Sequence, residues 1–188
     1  MRTLPQSTAL IVLDVQQAFL DPSWGERNHP EAESNIARLL AAWRNSGRPI
    51  RHVVHDSVEP NSLLRPESPG NAFQSVAVPK PAEPVYRKHV NSAFIGTNLE
   101  RELRQDDIGT LVIVGLTTNH CVSTTARMAG NLGFITFVVS DATAAFARPA
   151  LDGTLRPAEA VHGAALSDLH QEFATVIDTA EVLQRASS

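Results

Sequence analysis

The sequence predicts an α/β fold in which a mostly parallel sheet is covered by helices on both faces. Three observations predict it: short apolar runs rich in β-branched residues, helical patterns between those runs, and a length of 188 residues. Strands that alternate with helices imply crossover connections, which place helices on the faces of a parallel sheet. A chain of this length suits one compact domain, which we predict over residues 1–188.

Five apolar runs are predicted to be strands, and they cover residues 9–13, 50–54, 110–114, 134–139 and 174–177. Continuous apolar runs of this length are typical of strands that are buried on both faces. Sites in parallel sheets lie at the carboxyl ends of the strands. The segments that begin at Asp14, His55, Gly115 and Asp141 are therefore the first places to look for chemistry.

Four helical patterns separate these strands. Their apolar stripes consist of Ile36, Leu39, Leu40 and Trp43; of Leu99 and Leu103; of Val122, Ala126 and Ala129; and of Val161, Ala165 and Leu169. Gly47 and Gly133 are predicted to end the first and third helices. A capping-box pattern at residues 97–100 is predicted to begin the second helix, and Pro157 the fourth.

Residues 57–84 interrupt this alternation. They hold six of the twelve prolines and show little periodicity. A structureless stretch this long inside a compact domain is typical of a functional loop, so we interpret it as an ordered active-site excursion. A domain linker is the alternative, which is less favoured because the chain before it is too short to form a domain.

Composition excludes several classes of function. The formal net charge is −4, with 16 Lys and Arg against 20 Asp and Glu, which disfavours nucleic acid as a partner. One cysteine cannot form an internal disulfide or a cysteine-rich zinc site. Since no apolar run reaches the length of a signal-peptide core or a membrane span, we expect no membrane partner and a cytoplasmic location.

The single cysteine, Cys121, follows a predicted strand and immediately precedes a predicted helix. Unpaired N–H groups and the macrodipole at a helix N-terminus stabilise anions, so this position is expected to lower the pKa of the thiol. The same N–H groups can receive an oxyanion. The alternative is a small buried apolar residue, and the polar residues at 117–120 argue against such a dry position.

Two charged residues stand at comparable places. Asp14 closes the first apolar strand with no basic residue beside it in sequence, so its carboxylate must find a partner or lose hydration at high cost. The Asp14 carboxylate could cap a turn, or it could act as a general base near the thiol. Lys88 follows the proline-rich segment, where a basic residue is usually only solvated, but beside a thiolate and a carboxylate it would stabilise both anions.

Three segments carry a family resemblance. They read ALIVLDVQQAF at 9–19, RKHVNSAF at 87–94 and VGLTTNHCV at 114–122, and VSDA at 139–142 also fits. In this order and context they resemble the isochorismatase-like cysteine hydrolases, a group that includes nicotinamidases and N-carbamoylsarcosine amidases. The resemblance covers nearly the whole chain and implies a Rossmann-like fold with three layers, α/β/α.

The resemblance also implies a catalytic triad of Asp14, Lys88 and Cys121. It implies a cis peptide bond at Leu116–Thr117, and an oxyanion hole made of the N–H groups of Thr117 and Cys121. The leading hypothesis is therefore a metal-independent cysteine hydrolase of a small amide, carbamoyl or related C–N compound, acting through a thioester. Because relatives are commonly dimers or tetramers, we also expect a homo-oligomer.

The sequence departs from the nicotinamidase pattern at the metal site. Nicotinamidases carry an Asp-x-His pattern after the second strand, and the matching positions here hold Ser57 and Glu59. We therefore expect no metal and no other cofactor, and we disfavour nicotinamide as the substrate. His55 and Asp56 are neighbours that would point in different directions on an extended strand end, and their role is left open.

Six further residues near the triad in sequence are candidates for substrate contact. They are Phe19, Trp24, Asn91, Phe94, Asn119 and His120. Core packing is the alternative for the aromatic residues, and it is weakest for Trp24, which lies in a loop beyond the first strand. We interpret three other histidines, His29, His162 and His170, as ordinary surface or helix residues.

Other functions remain as alternatives. A nucleotide-binding protein is disfavoured because neither G-x-G-x-x-G nor G-x-x-x-x-G-K-[ST] occurs. A non-catalytic or thiol-redox protein of the same fold would also use a reactive cysteine, although no second cysteine is present to resolve a sulfenate. Isochorismatase-type hydrolysis is less favoured, because a complete cysteine triad points to acyl or C–N chemistry.

Overall fold

Six parallel strands form the central sheet of the computed structural model, which describes residues 3–187. The described strands are β1 (Ala9–Leu13), β2 (Ile50–His55), β3 (Val85–Lys88), β4 (Thr110–Leu116), β5 (Ile135–Ala144), β6 (Arg148–Pro149), β7 (Leu155–Arg156) and β8 (Thr175–Ile177). The sheet order is β3-β2-β1-β4-β5-β8, and β6 pairs with β7 in a separate antiparallel hairpin. Strands β2 and β3 lie on one side of β1, and β4, β5 and β8 lie on the other. The carboxyl ends of β1 and β4 therefore form a topological switch point.

Helices cover both faces of the sheet. They are α1 (Ala32–Ser46), α2 (Leu99–Gln105), α3 (Ser123–Asn131), α4 (Ala158–Leu169) and α5 (Thr179–Ala186). Because successive side chains of a strand point to opposite faces, Ile11 of β1 packs in the cluster with α2, α3 and α4, whereas Leu10 packs with α1 and α5. The predicted α/β fold with three layers is confirmed.

All five predicted strands are present, but β3, the short hairpin strands β6 and β7, and α5 were not predicted. The four residues of β3 alternate between exposed and buried and include Arg87 and Lys88, so they form no continuous apolar run. Phe134 and Ala174, placed in strands from the sequence, lie just outside β5 and β8.

Two of the predicted helix ends differ from the structure. Gly47 ends α1 in the left-handed conformation, as the pattern indicates. The capping box does not form, because the Thr97 hydroxyl accepts from the Leu99 N–H and the helix begins at Leu99. Val122 precedes α3, since residues 118–122 form a π-helical turn before that helix starts.

The segment 57–84 is a long loop with two short 3₁₀ turns, Pro69–Asn71 and Ser75–Ala77. It is tied to the carboxyl ends of the first two strands. The Asn71 amide donates to the carbonyl oxygens of His55 at 3.1 Å and Leu64 at 2.8 Å, and the Gln74 amide donates to the Gln16 carbonyl oxygen at 3.1 Å. Within residues 3–187, no helix is both long enough and apolar enough to cross a membrane.

Candidate active site

Four side chains from separate parts of the sequence meet at the carboxyl edge of the sheet. Asp14 directly follows β1, His55 ends β2, Lys88 ends β3, and Cys121 lies in the π-helical turn after β4. These strands are neighbours in the order β3-β2-β1-β4, so their carboxyl ends bring the four residues together. We call these four residues the buried cluster.

The Lys88 ammonium lies at the centre of the buried cluster. Its Nζ atom is 2.7 Å from Asp14 Oδ2, 2.9 Å from His55 Nδ1 and 3.3 Å from Cys121 Sγ. An ammonium has three N–H donors and no acceptor, so these contacts use all of its donors. Lys88 and Asp14 are completely buried, and the ion pair replaces the water that both charges lose.

Asp14 keeps one carboxylate oxygen free for chemistry. Within the described residues its Oδ1 atom is buried and has no hydrogen-bond partner, while Oδ2 accepts from Lys88. The backbone adopts φ 52° at Asp14, a left-handed conformation that Asp tolerates better than most residues. The Asp14 N–H also donates to the Val53 carbonyl oxygen at 2.9 Å, which holds the turn against β2.

The environment of Cys121 raises the pKa of its thiol, against the expectation from its position before a helix. Burial is the larger cause, because the residue is 7% exposed, and the negative charge of Asp14 acts in the same direction. The Lys88 charge opposes both effects. The prediction of a lowered thiol pKa was therefore wrong in direction. The fold excludes water from the thiol and brings the Asp14 carboxylate near it, and neither effect is visible from the position of Cys121 before a helix. A thiol with a raised pKa is neutral at neutral pH, and the Cys121 sulfur lies 3.8 Å from Asn91 Oδ1.

The peptide bond at Leu116–Thr117 is cis in the structure. The Thr117 hydroxyl lies 3.1 Å from His120 Nδ1, and Arg148 donates to His120 Nε2 at 2.7 Å. Since a guanidinium only donates, His120 Nε2 accepts and its proton resides on Nδ1, which donates to Thr117. Partial burial of the ring, and then the Arg148 charge, lower the pKa of His120, which agrees with a neutral ring.

A cavity of about 220 Å³ adjoins the turn that carries Cys121. Its lining residues are Trp24, Thr117, Asn119, His120, Phe146, Ala147, Arg148 and Pro149. Trp24 and Phe146 form its aromatic wall, with ring centroids 5.4 Å apart. A larger groove of about 940 Å³ lies between the β6–β7 hairpin and helices α3 and α4. No member of the buried cluster lines either space, but the smaller one is lined by three residues of the turn that leads to Cys121.

The structure separates the six candidates for substrate contact. Trp24, Asn119 and His120 line the cavity, and Asn91 lies beside the sulfur. Phe19 and Phe94 do not line it. Phe19 is 6% exposed and packs behind Trp24, and Phe94 stacks on Phe134 at 5.9 Å in the core. For these two residues the structure supports core packing.

Sequence reasoning missed three residues of this region. His55 was left without a role, and neither Phe146 nor Arg148 was considered. One signal for His55 was its position at the end of a buried strand, where sites are expected. His162 lies in helix α4, in agreement with its interpretation as a helix residue, and not at the surface. It is 2% exposed, lies 2.8 Å from the Thr118 hydroxyl, and has a pKa lowered to about 4 by burial.

The buried cluster is suited to an ammonium more than to a metal ion. Donor atoms of Asp14, His55 and Cys121 lie within 4.8 Å of one another, a spacing that could hold a cation. The Lys88 ammonium already donates a hydrogen bond to each of them. A metal ion in that position would lie beside the positive charge of Lys88, so we assign the Asp14, His55 and Cys121 atoms as hydrogen-bond acceptors of the ammonium. Asp56 is engaged elsewhere, by Arg87 at 2.8 Å.

Comparisons with known proteins give a consistent result. The Isochorismatase domain matches residues 8–181. The chain is 47% identical over 180 residues to the uncharacterized isochorismatase family protein YrdC of Bacillus subtilis, covering 96% of each chain. It is 28% identical to the ureidoacrylate amidohydrolase RutB of Methylobacterium radiotolerans, over 94% of this chain and 78% of RutB.

Solved structures agree. A protein of the isochorismatase family from Chromobacterium violaceum superposes with a TM-score of 0.95 at 45% identity, covering 98% of this chain and 96% of the other. A cysteine hydrolase from Pseudomonas syringae pv. phaseolicola superposes with a TM-score of 0.88 at 25% identity, covering 98% and 94%.

Proposed function

The chain belongs to the isochorismatase family of hydrolases, and on that premise we propose that it is a metal-independent cysteine hydrolase of small amide, carbamoyl or related C–N compounds. The observation that carries the proposal is the buried cluster. It places a thiol and a carboxylate with one free oxygen around an ammonium that contacts both, and the thiol lies in the turn whose residues Thr117, Asn119 and His120 line the cavity. The names of RutB and of the Pseudomonas cysteine hydrolase support C–N chemistry and a cysteine nucleophile.

Acylation begins with the neutral thiol. Asp14 takes the thiol proton as general base while the Cys121 sulfur forms a bond to the carbonyl carbon, and the carbonyl electron pair moves to oxygen. The N–H groups of Thr117 and Cys121 receive this oxyanion. When the carbonyl re-forms, the C–N bond breaks, and the protonated Asp14 gives its proton to the leaving nitrogen.

Deacylation uses the same groups in reverse order. Asp14 takes a proton from the attacking water, and the new C–O bond forms as the S–C bond breaks. The sulfur leaves as a thiolate and takes the proton back from Asp14. Throughout, the Lys88 ammonium stabilises the carboxylate and the thiolate in turn, because its N–H groups point at both atoms.

A thiol-redox function has less support. The thiolate is the reactive form in sulfenate chemistry, and burial raises the pKa of the Cys121 thiol. With one cysteine in the chain, a sulfenate would also have no internal partner.

The proposal is tested with a panel of small amides and ureides, neutral and carboxylate-bearing, that fit a cavity of about 220 Å³. We expect turnover of at least one compound, and an acyl adduct on Cys121 detected by intact-protein mass spectrometry after rapid quenching. Cys121→Ala should lower kcat at least about 1,000-fold, whereas Thr124→Ala, outside the buried cluster, should not.

Two results would contradict the proposal. Substantial turnover by Cys121→Ala would exclude covalent catalysis by the thiol. Activity that is lost after dialysis against a chelator and restored by zinc would exclude the metal-independent mechanism.

A further inference from the structure

His55 is the fourth member of the buried cluster and has no place in the proposed proton transfers. Its Nδ1 atom lies 2.9 Å from Lys88 Nζ, and the two residues are direct partners in the register between β2 and β3. Their side chains therefore project to the same side of the sheet. The contact is built into the pairing of two strands.

The direction of this hydrogen bond fixes the state of the ring. Lys88 has only donors, so His55 Nδ1 must be the acceptor, and the ring proton must reside on Nε2. A protonated imidazolium has donors on both nitrogens and could not make this contact. The structure is thus consistent with a neutral ring in a single tautomer.

The backbone of His55 is held in place from two sides. Its N–H donates to Gln16 Oε1 at 3.0 Å, and its carbonyl oxygen accepts from Gln16 Nε2 at 3.2 Å and from the Asn71 amide at 3.1 Å. Gln16 lies two residues after Asp14 and is completely buried. Gln16 therefore ties the backbone that carries His55 to the chain segment that carries Asp14.

We propose that His55 is a positioning residue, which accepts the third N–H of Lys88 and thereby holds the ammonium between Asp14 and Cys121. The inference rests on the proposed function, since it assigns His55 to that reaction. Without this acceptor the ammonium would keep an unpaired N–H in a buried site, and it would turn toward another acceptor. A displacement of about 1 Å in a catalytic group can cost 100-fold in rate.

The proposal carries a pH dependence. The titratable groups that face His55 are Asp14 after β1, Asp56 on its own chain segment, Lys88 and His89 at the end of β3, and Cys121 after β4. Burial, and then the Lys88 charge, lower the pKa of His55, so the ring is neutral at neutral pH. As pH falls through that pKa the ring gains a proton, the acceptor is lost, and kcat decreases.

The first experiment is spectroscopic and does not require turnover. In protein labelled with ¹⁵N-histidine, the signals of His55 are assigned as those that disappear in the His55→Asn variant. At neutral pH they should show an unprotonated Nδ1 and a protonated Nε2. An Nδ1–H tautomer, or a protonated ring, would overturn the hydrogen bond to Lys88. If no amide is turned over by the wild type, the proposed function fails, while this spectrum still decides the contact.

The second experiment separates positioning from a structural role. His55→Leu removes the acceptor, and we expect kcat to fall about 100-fold with little change in KM. His55→Asn supplies an amide oxygen near the place of Nδ1 and cannot titrate, so it should recover much of kcat and lack the acid-side ionisation of the wild type. His170→Leu, at an exposed position after α4, is the control for loss of a histidine. Wild-type kcat in His55→Leu, a change confined to KM, equal losses in both variants, or an unaltered acid limb in His55→Asn would each overturn the proposal.

Discussion

Replacing Lys88 with methionine tests how the buried charges are balanced. Lys88 and Asp14 both have completely buried side chains, and their charged atoms are 2.7 Å apart. Methionine keeps most of the side-chain volume but removes the ammonium, so the Asp14 carboxylate stays buried with neither oxygen paired to a cation. Removing one partner of a buried ion pair costs about 3–5 kcal/mol in the free energy of unfolding. For a chain of this size the expected fall in Tm is about 6–20 °C.

The assay is urea unfolding followed by circular dichroism, with the slope m compared between variants. Lys80→Met is the matched control, because Lys80 is exposed, and its free energy of unfolding should change by no more than about 0.5 kcal/mol. The double variant Asp14→Asn with Lys88→Met removes both charges, keeps a residue that tolerates the left-handed conformation at position 14, and should recover most of the lost stability.

Two results would refute this reasoning. A Lys88→Met variant that stays within about 1 kcal/mol of the wild type would mean that the carboxylate finds another partner. A double variant as unstable as the single one would mean that packing around the lysine stem, and not the unpaired charge, causes the loss.

Two further predictions concern the thiol and the strand beside it. Because burial raises the pKa of the Cys121 thiol, iodoacetamide should alkylate the folded protein slowly at neutral pH, and the rate should rise with pH without a plateau below about pH 9. The urea-unfolded chain gives the reference rate. A plateau of the rate near pH 7 would contradict this prediction. Gly115→Ala should destabilise the protein by about 3 kcal/mol or more, because φ is 122° and a Cβ atom would lie 1.9 Å from the Leu13 carbonyl oxygen. The matched change Gly163→Ala in α4 meets no atom within 4 Å and should stabilise by about 0.5–1 kcal/mol in the same urea titration; equal effects of the two substitutions would refute the steric argument.

Local pattern was sufficient for most of the fold. The apolar runs of β1, β2, β4 and β5 are long and buried on both faces, so their composition alone identifies them. The edge strand β3 was missed because it has only four residues and two of them, Arg87 and Lys88, are charged, so it contains no apolar run. The predicted capping box does not form because the Thr97 hydroxyl accepts from the Leu99 N–H and not from the Glu100 N–H. The path of the loop in three dimensions decides which N–H group lies near the hydroxyl.

Three members of the candidate site could be named from the sequence because each lies in a short contiguous motif. Asp14 ends an apolar run, Lys88 follows the proline-rich segment, and Cys121 follows a strand. For Asp14 and Cys121, placement at one edge of the sheet follows from the rule that parallel strands share a carboxyl edge. The strand that ends at Lys88 was not predicted, so only the family resemblance placed this residue with the other two. The 2.7 Å and 3.3 Å contacts of Lys88 are details that the rule does not specify.

Only the tertiary structure decided two features of the site. They are the contact between His55 and Lys88, and the direction in which the pKa of the Cys121 thiol is shifted. His55 meets Lys88 across 33 residues of sequence, through a strand register that no local pattern encodes. The pKa of the Cys121 thiol depends on the water that the packed strands exclude and on the carboxylate that β1 brings near. The sequence by itself determined which strands and reactive groups exist, because those depend on neighbours along the chain. Distance, desolvation and protonation depend on neighbours in space, which exist only after the sheet has assembled.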